Sequence, residues 1–479
     1  MSVATGRLSR RSVLALGAGG VATAAGAGLL VAHLPDLLRP APAAAQPTSG
    51  WASPLGTARG LAAHLLRRAG FGYTAAELDA AAALPYAQLV EHVLAQQPEP
   101  LPAVATPGPQ RVVSAWYAHM ATTTAQFPER MTLFWHGVLT SSFRSAAQLP
   151  IVAQQNALFR DRGRGDLRSL LLAVTYDPLM IRYLDLQQST AAATNENYSR
   201  ELMELFTLGP GNYTETDVRE GARALSGIRM VLVDANGSPV PLARAGMTAQ
   251  QYAAHIAQLV AQGATFKGIL LRRQHDAGTK TFLGRSGNLG PEEVVDAILA
   301  QPACAQHVAT RALTYFCSPA PSEALVTSVA NAFRSSGYDV TAMMRAIFTS
   351  DDFVAAANYR SLVRSPADYM VAAMRALGRP QLAALATRSG PGMDQSLYDP
   401  PNVAGWPGNA GWVSSAAWLA RVNFAERAVA RGPMPDAQSA LQTQLDGVLS
   451  DSTHAVLSRS ASESDRWYAL LASPEFNLK

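Results

Sequence analysis

Apolar residues recur every three or four positions along most of this chain, and that period predicts a mainly α-helical protein. Residues 194–209 (TNENYSRELMELFTLG) carry the pattern most plainly. Leu202, Leu205, Phe206 and Leu208 form one flank, Asn195 or Thr194 can cap the start, and Gly209 can close the end. Glu196, Asn197, Arg200, Glu201 and Glu204 crowd the neighbouring flank. Read as a solvated face, this set is an ion-pair surface with Glu196 and Arg200 at i,i+4, adding about a few tenths of a kcal/mol. Read as a partly buried face, it can ligate a cation.

Punctuation supports the helical reading. Thr74 caps one helix, Pro85 opens another, and Thr214 with Asp217 has capping-box spacing. Ser350-Asp351-Asp352, Ser365-Pro366-Ala367-Asp368 and Ser473-Pro474-Glu475 repeat one device, an N-cap followed by Pro or acid in the first turn. Residues 129–139 are apolar and aromatic around a single His136, which reads as a core histidine or as a ligand. The period changes in two places. Residues 228–233, an Asp234-Ala235-Asn236-Gly237 turn, Val240 and residues 266–271 predict a β insertion over about 228–284. Its last part sets His275, Asp276 and Lys280 in a glycine-punctuated loop. Residues 398–412 hold Pro, Gly and two Trp and predict an ordered, non-helical loop. Asn402, Trp406 and Trp412 there suit binding of a polymer or partner, and the alternative is a pair of Trp lids on the core.

Three parts follow. Residues 1–45 read as a twin-arginine type signal peptide, with Ser9-Arg10-Arg11-Ser12-Val13-Leu14, an Ala/Gly/Leu/Val stretch and Ala43-Ala44-Ala45 before Gln46. A membrane anchor is the rival reading of that stretch; cleavage leaves no stable span in the mature chain. Residues 46–110 form an N-terminal helical segment with a Pro-rich linker, and residues 111–479 form the main helical body. Export would make the protein periplasmic, cell-surface or extracellular, after passage through the twin-arginine machinery.

Composition narrows the picture only slightly. A length of 479 residues with 48% apolar and 15% charged content describes a chain able to bury a large core. A formal charge of +4 with scattered Arg gives no case for nucleic acid. Cys304 and Cys317 sit in one helical segment, roughly 20 Å apart by helical rise, which excludes a disulfide scaffold. No Rossmann fingerprint, P-loop, Gly-x-Ser-x-Gly or CxxCH occurs, which argues against nicotinamide, flavin, ATP, serine-elbow and haem chemistry.

Five stretches in order resemble the bacterial family called domain of unknown function 1800: 65–72, 129–142, 195–209 with Asn212-Tyr213-Thr214, 275–284 and 399–408. Together they span roughly 55–479. The resemblance implies a mostly helical, often exported protein. It also implies a candidate exported partner from the family called domain of unknown function 1501, itself similar to sulfatases and alkaline phosphatases. It carries over no catalytic residues, and Phe206 stands where many members have His.

From the residues, one expectation is a divalent-metal site (Mn, Fe or Zn) built from His136, Glu201, Glu204 and His275 with Asp276, mixed N/O donors that suit those ions. Arg200 or Lys280 would hold developing charge, giving a metal-dependent hydrolase ahead of an oxidoreductase. A metal-free variant makes His275 a general base oriented by Glu201 or Glu204. The alternative is a non-enzymatic envelope protein that binds a polymer or exported partner through the 398–412 loop.

Overall fold

The caps place the helices. In the computed structural model, Thr74 and Thr214 each close a capping box, and Ser350 and Ser365 accept hydrogen bonds from the Phe353 and Asp368 amides. Ser473 instead precedes a 3-10 turn, Glu475–Asn477, whose cap position is Pro474, and its hydroxyl accepts from Phe476 N at 3.2 Å. The structure describes residues 53–102, 104, 108–145, 149–241, 246–430 and 432–479. The signal-peptide reading of 1–45 lies outside them. Among the described residues are 22 α-helices and two small antiparallel sheets, so the protein is mainly α with a small β insertion. No helix among them is long and apolar enough to cross a membrane.

In the insertion, β1 (Ile228–Val233) pairs with β2 (Pro239–Val240) and with β3 (Thr265–Leu270), giving the order β2-β1-β3. The turn after β1 closes through Gly237 N donating to the Asp234 carbonyl at 3.0 Å, with Gly237 at φ +83°. Two features depart from the sequence expectation. A helix, Ala249–Ala261, sits between β2 and β3, capped by Thr248 and Gln251. The expected loop around Lys280 is partly a hairpin, β4 (Lys280–Phe282) with β5 (Arg285–Gly287).

The chain is centred on a segment other than 194–209. Helix α1 (Gln126–Val138) buries every residue except Gly137, including Glu129, Arg130 and His136. Two apolar clusters meet on it: Phe127, Met131, Phe134 and Trp135 join one, and Leu133 joins the other. A helix wrapped on all sides must find partners for its polar groups inside the protein. The acidic stretch, by contrast, lies partly at the surface. Its regular part, α2 (Asn197–Glu201), widens into a π-helix over Leu202–Thr207. Leu208 N and Gly209 N both donate to the Met203 carbonyl, at 2.8 and 3.1 Å, while the Leu205 carbonyl is taken by His307 Nε2 at 3.0 Å. An outside donor thus satisfies a carbonyl that regular α geometry would have used. Two further helices frame the centre, α3 (Pro302–Phe316) and α4 (Pro366–Ala376). Cys304 and Cys317 are both free and buried.

One buried carboxyl makes a pH prediction. Asp177 caps the Pro178–Tyr183 helix, accepting from Met180 N at 2.9 Å and from Gln155 Nε2 at 2.7 Å. Burial pushes its carboxyl up to about 7, against those hydrogen bonds. Between about pH 4 and that value the folded protein holds a proton the unfolded chain has released. Its contribution to stability therefore falls as pH rises through that window. Asp177→Asn keeps the cap acceptor and is expected to remove that part of the fall in denaturation midpoint; a variant curve parallel to the wild type would contradict the assignment.

Candidate functional site

The residues expected to hold a metal do not converge. His136 is buried in α1, and its Nε2 accepts the Tyr398 amide at 2.9 Å. Its ring packs among Trp116, Tyr398 and Trp406, with centroids 5.6, 5.5 and 5.0 Å away. Burial lowers its pKa to about 3, so the imidazole is neutral with its proton on Nδ1. His275 Nδ1 donates to the Ser226 carbonyl at 3.0 Å. That carbonyl, rather than Glu201 or Glu204, orients the ring. Glu204 accepts from the Tyr213 hydroxyl. Glu201 is half-buried, and burial followed by the nearby Glu204 charge raises its pKa. Among the described residues no group of three or more His, Cys, Asp or Glu could hold a metal ion. The structure thus does not bring His136, Glu201, Glu204 and His275 into one such group: α1 turns His136 into the core, and the turn before the hairpin ties His275 to the Ser226 carbonyl.

The groups expected to hold charge are also engaged. Arg200 donates to both Glu215 oxygens at 2.7 and 2.9 Å and reaches Glu196 at 3.4 Å. Asp276 pairs with Arg223 Nε at 2.8 Å; that hydrogen bond overcomes the opposing effect of burial and holds its carboxyl below the usual range. Lys280 is buried, donating to the Gly278 carbonyl at 3.0 Å and Asn288 Oδ1 at 3.2 Å, and burial lowers its pKa. Each is tied into local architecture.

A different place has the geometry of a site. The loop after Tyr398 folds over the C-terminal turn of α1. Thr140 Oγ1 donates to the Val403 carbonyl, Asn409 Oδ1 accepts from Val363 N at 2.7 Å, and the Asn402 side chain accepts from Ala404 N at 2.9 Å. Gly405, at φ +88°, lies so close to α1 that a Cβ there would sit 2.5 Å from the Gly137 carbonyl oxygen. Between loop, α1, α3 and α4 is a cavity of about 290 Å³. Trp406, half-buried, and Trp412, buried, line it together with Tyr315. Asn402 is exposed and outside the lining.

The cavity floor is charged. Asp368 on α4 pairs with Arg130 of α1 and, at 2.7 Å, with Lys479 Nζ. The Lys479 ammonium also lies 4.9 Å from the centre of the Tyr315 ring. Burial alone would raise the Asp368 carboxyl; Arg130 and then Lys479 overcome it and hold the group well below the usual carboxylate range. On the wall, the Arg311 side chain of α3 has one hydrogen bond among the described residues, donated to the Gly137 carbonyl at 3.4 Å. Arg311, Tyr315 and Lys479 were not candidates in the sequence reading, and Asp368 appeared only as a first-turn acid. One signal was available: Arg311 is the sole Lys, Arg, Asp or Glu in the fifteen residues of α3.

A family model described as "Protein of unknown function (DUF1800)" matches residues 64–478. No curated protein and no solved structure matches the chain.

Proposed function

The chain belongs to this family of unknown function, whose description assigns no activity, and from its own residues we propose an exported envelope protein that binds a polysaccharide at the Trp406 cavity. The observation that carries the reading is that cavity: four aromatic residues, Phe134, Tyr315, Trp406 and Trp412, around a ring-sized space beside charged and amide groups. At about 290 Å³ it stands at the lower end of small-molecule pockets, about 300 Å³, the scale of one residue of a longer polymer. Aromatic faces stack on the apolar faces of sugar rings while their rims leave hydroxyls to polar partners. Thr314, Gln395 and Asn409 also line the space; each side chain makes one hydrogen bond among the described residues, to the Thr310 carbonyl, from Ala367 N and from Val363 N, and keeps further donor or acceptor capacity. Binding is favoured over hydrolysis because His136 and His275 are each committed to backbone partners. The Ser9-Arg10-Arg11 motif supports export.

The test uses the full chain expressed in a bacterium with twin-arginine export. Fractionation is expected to find it outside the cytoplasm, and the purified protein to co-sediment with an insoluble cell-wall polysaccharide. Trp406→Ala is expected to be exported equally but to bind at least about tenfold more weakly, a loss of roughly 1.4 kcal/mol or more. Retention in the cytoplasm, or sedimentation indifferent to Trp406, would refute the proposal.

A further inference from the structure

A guanidinium set into a protein wall normally faces a carboxylate, because an uncompensated charge out of water is costly. Asp368, the carboxylate on this cavity, is already engaged by Arg130 and Lys479. Arg311 is only partly exposed, and among the described residues its one hydrogen-bond partner is the Gly137 carbonyl at 3.4 Å, with no ion pair. It is thus the charge left over at the cavity wall, with most of its five N–H donors unassigned. Burial lowers its pKa, and no neighbouring acid offsets that. Trp406 is half-buried, presenting part of its ring to the same space.

We propose that the sugar residue seated in this cavity is anionic, a uronic-acid type residue whose carboxylate pairs with Arg311 while its ring lies against Trp406. This rests on the polysaccharide reading above and adds the ligand's charge. A carboxylate matches the two-pronged guanidinium and supplies the missing counter-charge. A neutral sugar would fill the same volume and leave Arg311 as it stands. The aromatic lining favours a ring over the carboxylate of an acidic peptide, which offers no face to stack.

Calorimetric titration of the full chain with a galacturonate oligosaccharide, and with a galactose oligosaccharide of the same length, tests the assignment. The galacturonate oligomer is expected to bind at least about tenfold more tightly, a preference that shrinks as salt is raised. Arg311→Gln is expected to abolish the preference, and Arg311→Lys, which keeps the charge without the fork, to retain part of it. Thermal denaturation of both variants establishes that they fold. Equal binding of the two sugars, a preference that survives Arg311→Gln in folded protein, or equally tight binding of poly-glutamate would overturn the anionic-sugar assignment alone. Failure of both sugars to bind, in protein that also fails to sediment with polysaccharide, would remove the binding reading itself.

Discussion

Asp368→Ala is expected to cost about 3–5 kcal/mol of stability, because it leaves the buried Arg130 guanidinium without its carboxylate and removes the partner of Lys479, whose pKa burial already lowers to about 7. Arg130 is wholly buried, stacked 4.6 Å from the Phe71 ring centre and held by Asp368 on its other side. Lys479 Nζ takes the other oxygen of the same carboxylate. Deleting one side chain therefore strands the charge of Arg130 on α1 and removes the acid that favours a proton on Lys479. The pH dependence has a definite sign. Asp368 has a folded pKa below its unfolded one, so its contribution is fully present above about pH 4 and is lost as pH falls through the folded value. Urea midpoints measured from pH 7 downward should show a large gap between variant and wild type that narrows only in acid. A gap under about 1 kcal/mol at pH 7, the scale of an exposed pair, would mean the network is solvated.

Glu129→Ala is expected to be comparably damaging, about 3–5 kcal/mol, for a related reason on the other side of α1. Its carboxylate accepts from Arg160 at both oxygens and from Trp116 Nε1 at 2.8 Å, with His119 Nε2 3.5 Å away. Burial favours the neutral acid, but His119 and Arg160 hold the carboxyl below its usual range. The alanine variant strands a buried guanidinium and frees the indole whose ring packs 4.9 Å from Tyr398 and 5.6 Å from His136. The double variant Glu129→Leu with Arg160→Leu separates charge from packing. It should be markedly more stable than the sum of the two single changes, since neither partner is then left alone. Simple additivity would mean the pair is not coupled.

Local signals carried the fold a long way. Thr74, Thr214, Ser350 and Ser365 mark helix starts because a capping hydroxyl works within three residues, a range a sequence displays directly. Residues 228–233 and 266–271 carry a β signal of the same local kind, and the strands run over Ile228–Val233 and Thr265–Leu270, whereas the sequence expectation has no helix where Ala249–Ala261 stands between them. Centrality was not legible. Glu196 to Glu204 draw attention because their charges lie close together in sequence, while Glu129, Arg130 and His136 find partners 31, 238 and 262 residues away. Trp406 and Trp412 stood out by composition, and the cavity they line needs Arg311, Asp368 and Lys479 from three other parts of the chain. The π-helix is equally hidden, since its wide turn is completed by His307 of α3.

The long reach of these partnerships also has a consequence in time. As the polypeptide leaves the ribosome, Arg130 and His136 emerge more than two hundred residues before Asp368 and Tyr398 have been made. Until those later segments arrive, the middle helix has no dry place for its ionic and imidazole groups, so its burial must wait until synthesis is nearly over. A secretion pore that threads nascent strands would intercept such a molecule before its interior exists, while one that accepts finished proteins would receive it with that interior already closed.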